Sequence, residues 1–329
     1  MIKTVVKQIG RIEGKLRKSL QATSTLLAVG VPDRAFGFHG GIGDNLLCSI
    51  VARELRKRGE SRISILTRYP QLFWHNPDIH SSLPEGRFSR ALLAQLKVPA
   101  TYLTYGRHIT AENRNLLPPY HIVVEMCQRA SIRGEIELRP YFTLTPEELK
   151  GGRLSERQVA IQSSGMSAQF AVILKEWFPD RFERVVDALR GRFDFVQIGA
   201  REDPPLKGAL DLRGKTTLRQ TAAILANSVV FVGLAGFPMH LARAVDCRSV
   251  IVYGGRELPS ITGYACNQNL SRLPPCAPCG LYDDCEYHRD CMKQIEAGDV
   301  VLAIEHQARQ YGIPLPVETV PVPSARWSA

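Results

Sequence analysis

The sequence predicts an α/β fold made of two Rossmann-like domains that face each other across a cleft. Residues 34–66 show the pattern of a strand, a glycine-rich loop, an amphipathic helix and a second buried strand, which opens a βαβ unit. Residues 211–252 show a helix, a buried strand, a tight loop, a second helix and another buried strand. Short apolar, β-branched runs such as Ser228–Gly233 are typical of strands inside a parallel sheet. We therefore expect one parallel sheet in each half of the chain.

Size and charge narrow the class of protein. The chain has 329 residues, enough for two domains with their own cores, and 44% of them are hydrophobic. No apolar run approaches the roughly 20 residues that span a bilayer. With 42 Lys and Arg against 32 Asp and Glu, the net charge is +10, which favours phosphorylated substrates or an anionic membrane. The basic residues are not interleaved with aromatic ones, so nucleic acid is the least favoured partner and we expect none.

A basic N-terminal segment, residues 1–33, precedes the first domain. In that segment six basic residues come before an apolar run, Leu20–Val31. The length of the basic part disfavours a signal peptide. Two alternatives stay open: an amphipathic helix that contacts an anionic membrane, and a solvated helix packed on the first domain. The six basic residues are Lys3, Lys7, Arg11, Lys15, Arg17 and Lys18.

The first domain is expected over residues 34–145. Arg34–His39 is its first strand, and Gly40–Asp44 is the loop that follows. The next residues place an apolar face on a helix that Gly59 ends as a C-terminal cap. Ile122–Met126 is compatible with either a strand or a helix. The apolar face comprises Leu46, Leu47, Ile50, Val51 and Leu55; Arg53, Glu54, Arg56 and Lys57 are expected to point outward, and Ile63–Leu66 is the second strand.

The second domain is expected over residues 155–311. An irregular linker at Pro140–Glu156, rich in turn formers and charge, separates it from the first domain. Its first strand, Val159–Gln162, leads into the loop Ser163-Ser164-Gly165. Residues 312–329 form a proline-rich tail, expected to be an extended strap or disordered. The other expected elements are helices at Phe182–Leu189 and Asp299–Tyr311 and a strand at Phe193–Ile198.

The stretch from residue 211 to residue 252 predicts a phosphate site. Thr216 and Thr217 offer hydroxyls that cap a helix. Gly233–Gly236 turns the chain, and Pro238 fits the first turn of the next helix. This arrangement places a helix N-terminus at the carboxyl end of a strand, where open α/β sheets bind phosphorylated ligands. The glycines of residues 40–43 do not complete the G-x-G-x-x-G fingerprint, which argues against a dinucleotide-dependent oxidoreductase.

Four of the eight cysteines crowd into residues 274–292. Their spacing, C-x2-C-x5-C-x5-C, suits a closed tetrahedral metal site of the structural type. Zinc and mononuclear iron both stay open as the metal, and an iron–sulfur cluster is less favoured. Without a secretory signal, disulfide bonds are the weaker alternative. The four ligands are Cys276, Cys279, Cys285 and Cys291, with His288 as a substitute for one of them; Cys48, Cys127, Cys247 and Cys266 are expected to be reduced core residues.

Several short motifs occur in a fixed order along the chain. They are Gly41-Ile-Gly-Asp44, Lys175-Glu-Trp-Phe-Pro179, Asp211-Leu-Arg-Gly-Lys-Thr216, Pro238-Met-His-Leu-Ala242 and Cys276-Ala-Pro-Cys279. Together they resemble glycosyltransferase family 9, the heptosyltransferases, whose architecture is GT-B. Relatives that glycosylate autotransporter proteins carry an iron-binding cysteine finger. One departure stands out: where the family has an N-D-S-G run, this chain has Leu234, Ala235, Gly236 and Phe237.

The resemblance implies an inverting transfer of a heptose-like sugar, with ADP-heptose the expected donor and a lipopolysaccharide-core or protein hydroxyl as the acceptor. Asp44 would be the catalytic base, its alternative being a helix N-cap, and Lys175 would clamp the diphosphate. No catalytic metal is expected, and the protein would work in the cytoplasm, at the inner membrane face. A non-catalytic regulator that binds nucleotide sugar or metal is the alternative. The other candidate donor-binding residues are Ser163, Ser164, Thr216, Thr217, Gly236, Met239 and His240, with Gly41 and Gly43 shaping the first loop. For His240 a buried structural role stays open, for Met239 packing, and for Ser163 and Ser164 a loop-forming role.

Overall fold

The computed structural model describes residues 2–109 and 114–324, with side chains described from 13 to 106 and from 117 to 324. Its first half is built around a parallel four-stranded sheet of order β3-β2-β1-β4. The elements are α1 (Ile2–Val29), β1 (Arg34–Phe38), α2 (Ile42–Lys57), β2 (Ile63–Thr67), β3 (Ser81–Pro84), α3 (Arg87–Gln95), β4 (Ala100–Leu103), β5 (Arg107–Ile109), β6 (Arg114–Leu116), α4 (Ile122–Arg129), β7 (Gly134–Glu137) and α5 (Pro146–Gly151).

The second half is built around a parallel six-stranded sheet of order β10-β9-β8-β11-β12-β13. The prediction of an α/β fold with two parallel sheets is therefore confirmed. The elements are β8 (Gln158–Ile161), α6 (Pro179–Ala188), β9 (Asp194–Gln197), β10 (Leu210–Asp211), α7 (Leu218–Ala226), β11 (Val230–Leu234), α8 (Phe237–Ala244), β12 (Ser249–Val252), α9 (Pro259–Thr262), β13 (Gln268–Leu270), α10 (Asp290–Lys293), α11 (Ala297–Ala308) and β14 (Thr319–Val322).

Helix α2 lies between the two halves, and its outward face was predicted wrongly. Arg53 and Glu54, expected at the surface, are both buried, whereas Arg56 and Lys57 are exposed. The Arg53 guanidinium donates to the backbone carbonyls of Arg139 and Glu137, each at 2.7 Å. A helix that packs on two sides must bury part of its polar face, and here backbone carbonyls satisfy the charge.

Core packing joins the two sheets. One continuous apolar cluster includes Phe36 and Ile50 from the first half and Phe231, Met239 and Ile251 from the second. The first turns of α2 and α8 face each other in this region. The closeness of these two helix N-termini sets the geometry of the candidate site.

The linker and the proline-rich tail both contain regular secondary structure. Thr145 caps α5 with a capping box completed by Glu148, so the predicted irregular linker contains a helix. The tail crosses back to the first half, where β14 pairs antiparallel with β7. This confirms the extended strap for the part that the structure describes; residues 325–329 lie outside it. Ile122–Met126, left open by the sequence, is helical.

Helix α1 packs on the first domain through its C-terminal part. Ala22 and Leu26 are buried, and Leu26 joins a small apolar cluster with Leu83 and Leu93. Leu20 and Leu27 point away, with 70% and 82% of their surface exposed. Over the described residues, no helix is long and apolar enough to cross a membrane.

Candidate active site

Asp44 is held at the start of α2 by two hydrogen bonds. Its Oδ2 accepts from the Gly41 backbone N–H at 2.9 Å, and its Oδ1 accepts from the Tyr105 hydroxyl. Gly41 is the N-cap, so Asp44 occupies the third helical position and completes a capping box. The alternative that Asp44 is itself the N-cap is wrong, because the helix begins three residues earlier than that role requires. Its carboxylate nevertheless satisfies the helix end.

Burial raises the pKa of Asp44 above its ordinary value. The Tyr105 hydroxyl, the Gly41 N–H and the charge of Lys175 act in the opposite direction and favour the ionised form. A carboxylate whose pKa is shifted towards neutrality binds a proton more readily than a free aspartate. This is the property that a general base needs.

Two glycines allow the helix start to approach its surroundings. A Cβ at Gly40 would lie 2.5 Å from the Asp44 Oδ2, so a larger residue would displace that carboxylate. A Cβ at Gly43 would lie 3.4 Å from the Phe237 Cα and 3.5 Å from the His240 Cδ2. Gly43 is therefore where the first half of the chain meets the first turn of α8.

Lys175 reaches the same place from the second half. It ends a 3-10 turn over Ile173–Lys175, and its Nζ lies 2.7 Å from the Glu257 Oε1. Its charge lowers the pKa values of both Asp44 and His240. Two residues further on, the buried Trp177 donates its indole N–H to the Ile295 carbonyl at 3.1 Å. Trp177 anchors the motif, and Lys175 is thereby directed towards the cleft.

The loop before α8 combines a buried histidine with open space. The His240 Nδ1 lies 2.7 Å from the Tyr264 hydroxyl, and burial lowers the pKa of His240 to about 3, so the ring is neutral. Met239 is buried, and its sulfur accepts from the Tyr253 hydroxyl at 3.2 Å. Gly236 is the N-cap of α8, and a Cβ there would meet no atom within 4 Å. Room for a ligand therefore lies at Gly236.

The predicted serines and threonines mainly hold their own loops. The Ser163 hydroxyl donates to the Pro204 carbonyl at 2.7 Å, and the Ser164 hydroxyl accepts from the Met166 N–H at 3.1 Å. Thr217 is the N-cap of α7, as the sequence suggested, and forms a capping box with Gln220. The hydroxyls of Thr216 and Thr221 lie 2.8 Å apart.

The four clustered cysteines are neighbours, but they are not arranged as ligands. Burial and the nearby Cys279 and Cys285 raise the pKa values of the Cys276 and Cys291 thiols. All eight cysteines are free, and Cys48, Cys127 and Cys247 are buried as predicted. Among the described residues, no group of three or more His, Cys, Asp or Glu side chains is placed to hold a metal ion. The predicted four-cysteine finger is thus not seen in this arrangement.

Three residues of this site were absent from the sequence prediction. Tyr105 follows β4, and Arg256 and Glu257 follow β12. All three residues lie just beyond the carboxyl ends of parallel strands. That is where ligand sites of α/β sheets are expected, and the α8 loop was predicted on this ground. Applied to every strand, the same rule would have included them. A separate cavity of about 690 Å³, lined by Gln71, Trp74, Glu147 and Arg219 among others, includes neither Asp44 nor Lys175.

The fold is shared with solved two-domain glycosyltransferases. The ADP-heptose lipopolysaccharide heptosyltransferase II of Escherichia coli superposes with a TM-score of 0.63 at 13% identity, covering 84% of this chain and 99% of that one. TibC, an iron-containing dodecameric glycosyltransferase from enterotoxigenic E. coli, gives a TM-score of 0.65 at 17% identity, covering 85% and 77%. The chain therefore has the GT-B fold of these enzymes.

Two sequence comparisons show similarity to heptosyltransferases. The model of glycosyltransferase family 9 (heptosyltransferase) matches residues 198–286. Lipopolysaccharide heptosyltransferase 3 of E. coli (strain K12) is 22% identical over an alignment of 192 residues, and the match covers 51% of this chain and 55% of that protein. The aligned part thus spans about half the length of this relative. The similarity to glycosyltransferase family 9 thus lies in the second half of this chain.

Proposed function

We propose that the protein is an inverting glycosyltransferase that transfers a heptose-like sugar from a nucleotide-diphosphate donor to a hydroxyl group. The observation that carries this proposal is the close approach of the start of α2, which holds Asp44, to the first turn of α8: a Cβ at Gly43 would lie 3.4 Å from the Phe237 Cα. The charge of Lys175, from the second half, also lowers the pKa of Asp44. An inverting transfer needs a base and a cationic leaving-group site on opposite sides of the reacting carbon. The facing helix N-termini of α2 and α8 supply that layout.

In the proposed reaction, Asp44 accepts the proton of the acceptor hydroxyl as its oxygen attacks the anomeric carbon. The bond between that carbon and the diphosphate oxygen breaks, and the nucleotide diphosphate leaves with the electron pair. Lys175 and the N-terminus of α8 stabilise the negative charge that develops on the leaving group. These groups carry out the electrostatic task without a metal. His240, which is neutral and buried, packs behind the loop that precedes α8.

ADP-heptose is the proposed donor. TibC has been solved in complex with ADP-D-β-D-heptose, and another relative is described as an ADP-heptose lipopolysaccharide heptosyltransferase. For the acceptor we propose a lipopolysaccharide core or a protein hydroxyl. The exposed leucines of α1 and the basic residues of its sequence support peripheral contact with an anionic membrane at the cytoplasmic face.

We also propose that the four cysteines of residues 274–292 hold one structural iron or zinc ion. The support is the chemistry and spacing of the thiols, and the proximity of Cys279 and Cys285 to both Cys276 and Cys291. TibC is described as iron-containing. Metal analysis of the purified protein should find about one ion per chain. The double variant Cys276→Ser/Cys279→Ser should contain no bound ion. Metal-free protein with four reactive thiols would disprove the site.

One observation supports the alternative of a non-catalytic regulator. Residues 234–237 carry no acid, and Leu234 and Ala235 are buried, so this loop offers no carboxylate to a donor sugar. Donor binding without turnover, unaffected by Asp44→Ala, would favour the regulator.

A thermal-shift screen of nucleotide sugars tests the donor assignment. A ligand at about 100 times its dissociation constant stabilises the folded state by about 2.7 kcal/mol, enough for a shift of a few degrees. We expect ADP-heptose to stabilise the wild-type protein and to have little effect on Lys175→Ala. A shift with a different nucleotide sugar but none with ADP-heptose would refute the donor.

A further inference from the structure

The Lys175 ammonium already has a partner in the cleft. Glu257 has only 3% of its surface exposed, and its Oε1 accepts from the Lys175 Nζ at 2.7 Å and from the Thr262 hydroxyl at 3.2 Å. A diphosphate that approaches Lys175 must compete with this carboxylate. Lys175 is therefore already paired with a carboxylate before any phosphate group binds.

Glu257 has a second cationic partner on its other oxygen. The Arg256 guanidinium donates to the Glu257 Oε2 at 3.0 Å, and Arg256 is itself buried. Burial opposes ionisation, yet Lys175 and Arg256 together lower the pKa of Glu257. An isolated buried carboxylate is strongly destabilising, so Glu257 can release Lys175 only if another cation remains. Arg256 is that cation.

Arg256 is fixed from the other side by the cysteine-containing segment. Its Nε donates to the Leu281 carbonyl at 2.7 Å, and its guanidinium lies 5.1 Å from the centre of the Tyr282 ring. The Gly280 N–H donates to the Arg256 carbonyl at 3.0 Å. Arg256 therefore stays beside Glu257 whether or not Lys175 moves.

We propose that Lys175 is exchanged between Glu257 and the donor diphosphate, with Arg256 neutralising Glu257 while Lys175 is away. This inference rests on the proposed function, in which Lys175 binds the diphosphate. Glu257 weakens the binding of the nucleotide diphosphate by competing for Lys175, which favours release of the product. Arg256 is a positioning residue that makes the exchange possible and does not itself bind the phosphate groups.

The two neighbours should then have opposite effects on affinity. Glu257→Gln removes the competitor, and we expect ADP to bind about tenfold more tightly, because the lost repulsion and the freed lysine act in the same direction. Arg256→Met leaves Lys175 as the one cation in contact with Glu257 among the described residues, and we expect ADP to bind about tenfold more weakly. Damage to the fold would weaken binding in both variants.

A double-mutant cycle measured by isothermal titration with ADP completes the test. Arg256→Met/Glu257→Gln should bind ADP like Glu257→Gln alone, since without the carboxylate Arg256 has nothing to neutralise. Arg256→Lys should bind like the wild type and gives a second, conservative variant. The matched control is Arg248→Met, another buried arginine, which donates to the Gln310 and Ile313 carbonyls; its affinity for ADP should not change.

The outcomes separate this inference from the proposed function. Changes of the same sign in Glu257→Gln and Arg256→Met, or a double variant as weak as Arg256→Met, overturn the exchange but leave the donor site intact. Wild-type protein that binds no ADP overturns the donor site and the exchange together.

Discussion

Replacement of Asp44 by asparagine separates catalysis from folding. The amide has the shape of the carboxylate, so its oxygen can still accept from the Gly41 N–H, and the Tyr105 hydroxyl can rotate to accept from the amide nitrogen. Both local hydrogen bonds survive, and the expected loss of stability is below about 1 kcal/mol. Because burial raises the pKa of Asp44, the ionised form costs stability at neutral pH, and removal of the charge offsets part of that loss.

The catalytic effect should be far larger. A positioned base contributes about 10²- to 10⁴-fold to the rate, which corresponds to about 2.7–5.5 kcal/mol of transition-state stabilisation. The assay measures ADP release from ADP-heptose in the presence of acceptor. The dissociation constant for ADP and the urea midpoint of unfolding are measured for each variant as well. The matched control is Asp78→Asn, a half-buried aspartate whose pKa burial also raises but whose charged neighbours are Arg53, Glu54, Arg56 and Lys57. If Asp44→Asn retains more than half of the rate while ADP still binds, Asp44 is not the base.

Three further predictions follow from individual contacts. Tyr105→Phe removes a hydrogen bond that lowers the pKa of Asp44, so the acidic limb of the kcat/KM profile should move to higher pH; an unchanged limb would disconnect Tyr105 from the base. Arg219 lowers the pKa of Glu148 from 4.5 to about 2, so this pair stabilises the fold above about pH 4.5 and its contribution is lost as the pH falls towards 2. Urea midpoints of wild type and Glu148→Gln should therefore differ at pH 7 and converge near pH 2, and a constant difference would argue against the pair. Deletion of residues 314–329 removes β14 and should lower the melting temperature by several degrees, whereas an unchanged value would mean that the strap adds nothing to stability.

The backbone of each half could be predicted from short-range patterns. The alternation of apolar positions in residues 34–66 and the buried run before Gly233 predict β1, β2 and β11 to within two residues, whereas α2 begins at Ile42, inside the segment Gly40–Asp44 that was expected to be a loop. The α5 helix could also have been predicted, because Thr145-Pro146 followed by Glu148 is a capping box. The turn-forming composition of the segment instead favoured an irregular linker. Local chemistry determines these elements, so the sequence around them is sufficient.

The side chains that meet at the site were harder to predict. Asp44 and Lys175 came from motifs, but their partners Tyr105 and Glu257 are distant along the chain, although each lies in the same half as the residue that it contacts. The burial of Arg53 was not predicted for the same reason: its partners are backbone carbonyls more than 80 residues away along the chain. Periodicity describes one helix at a time and does not report which distant segment of the chain covers its polar face.

A crystal structure of the protein with ADP-heptose, or with ADP, would test the central claim most directly. The account predicts a diphosphate oxygen within about 3 Å of the Lys175 Nζ, with Lys175 moved away from Glu257 and the anomeric carbon on the side that faces Asp44. A nucleotide bound instead in the cavity beside Trp74, or a diphosphate that contacts neither Lys175 nor the start of α8, would contradict it.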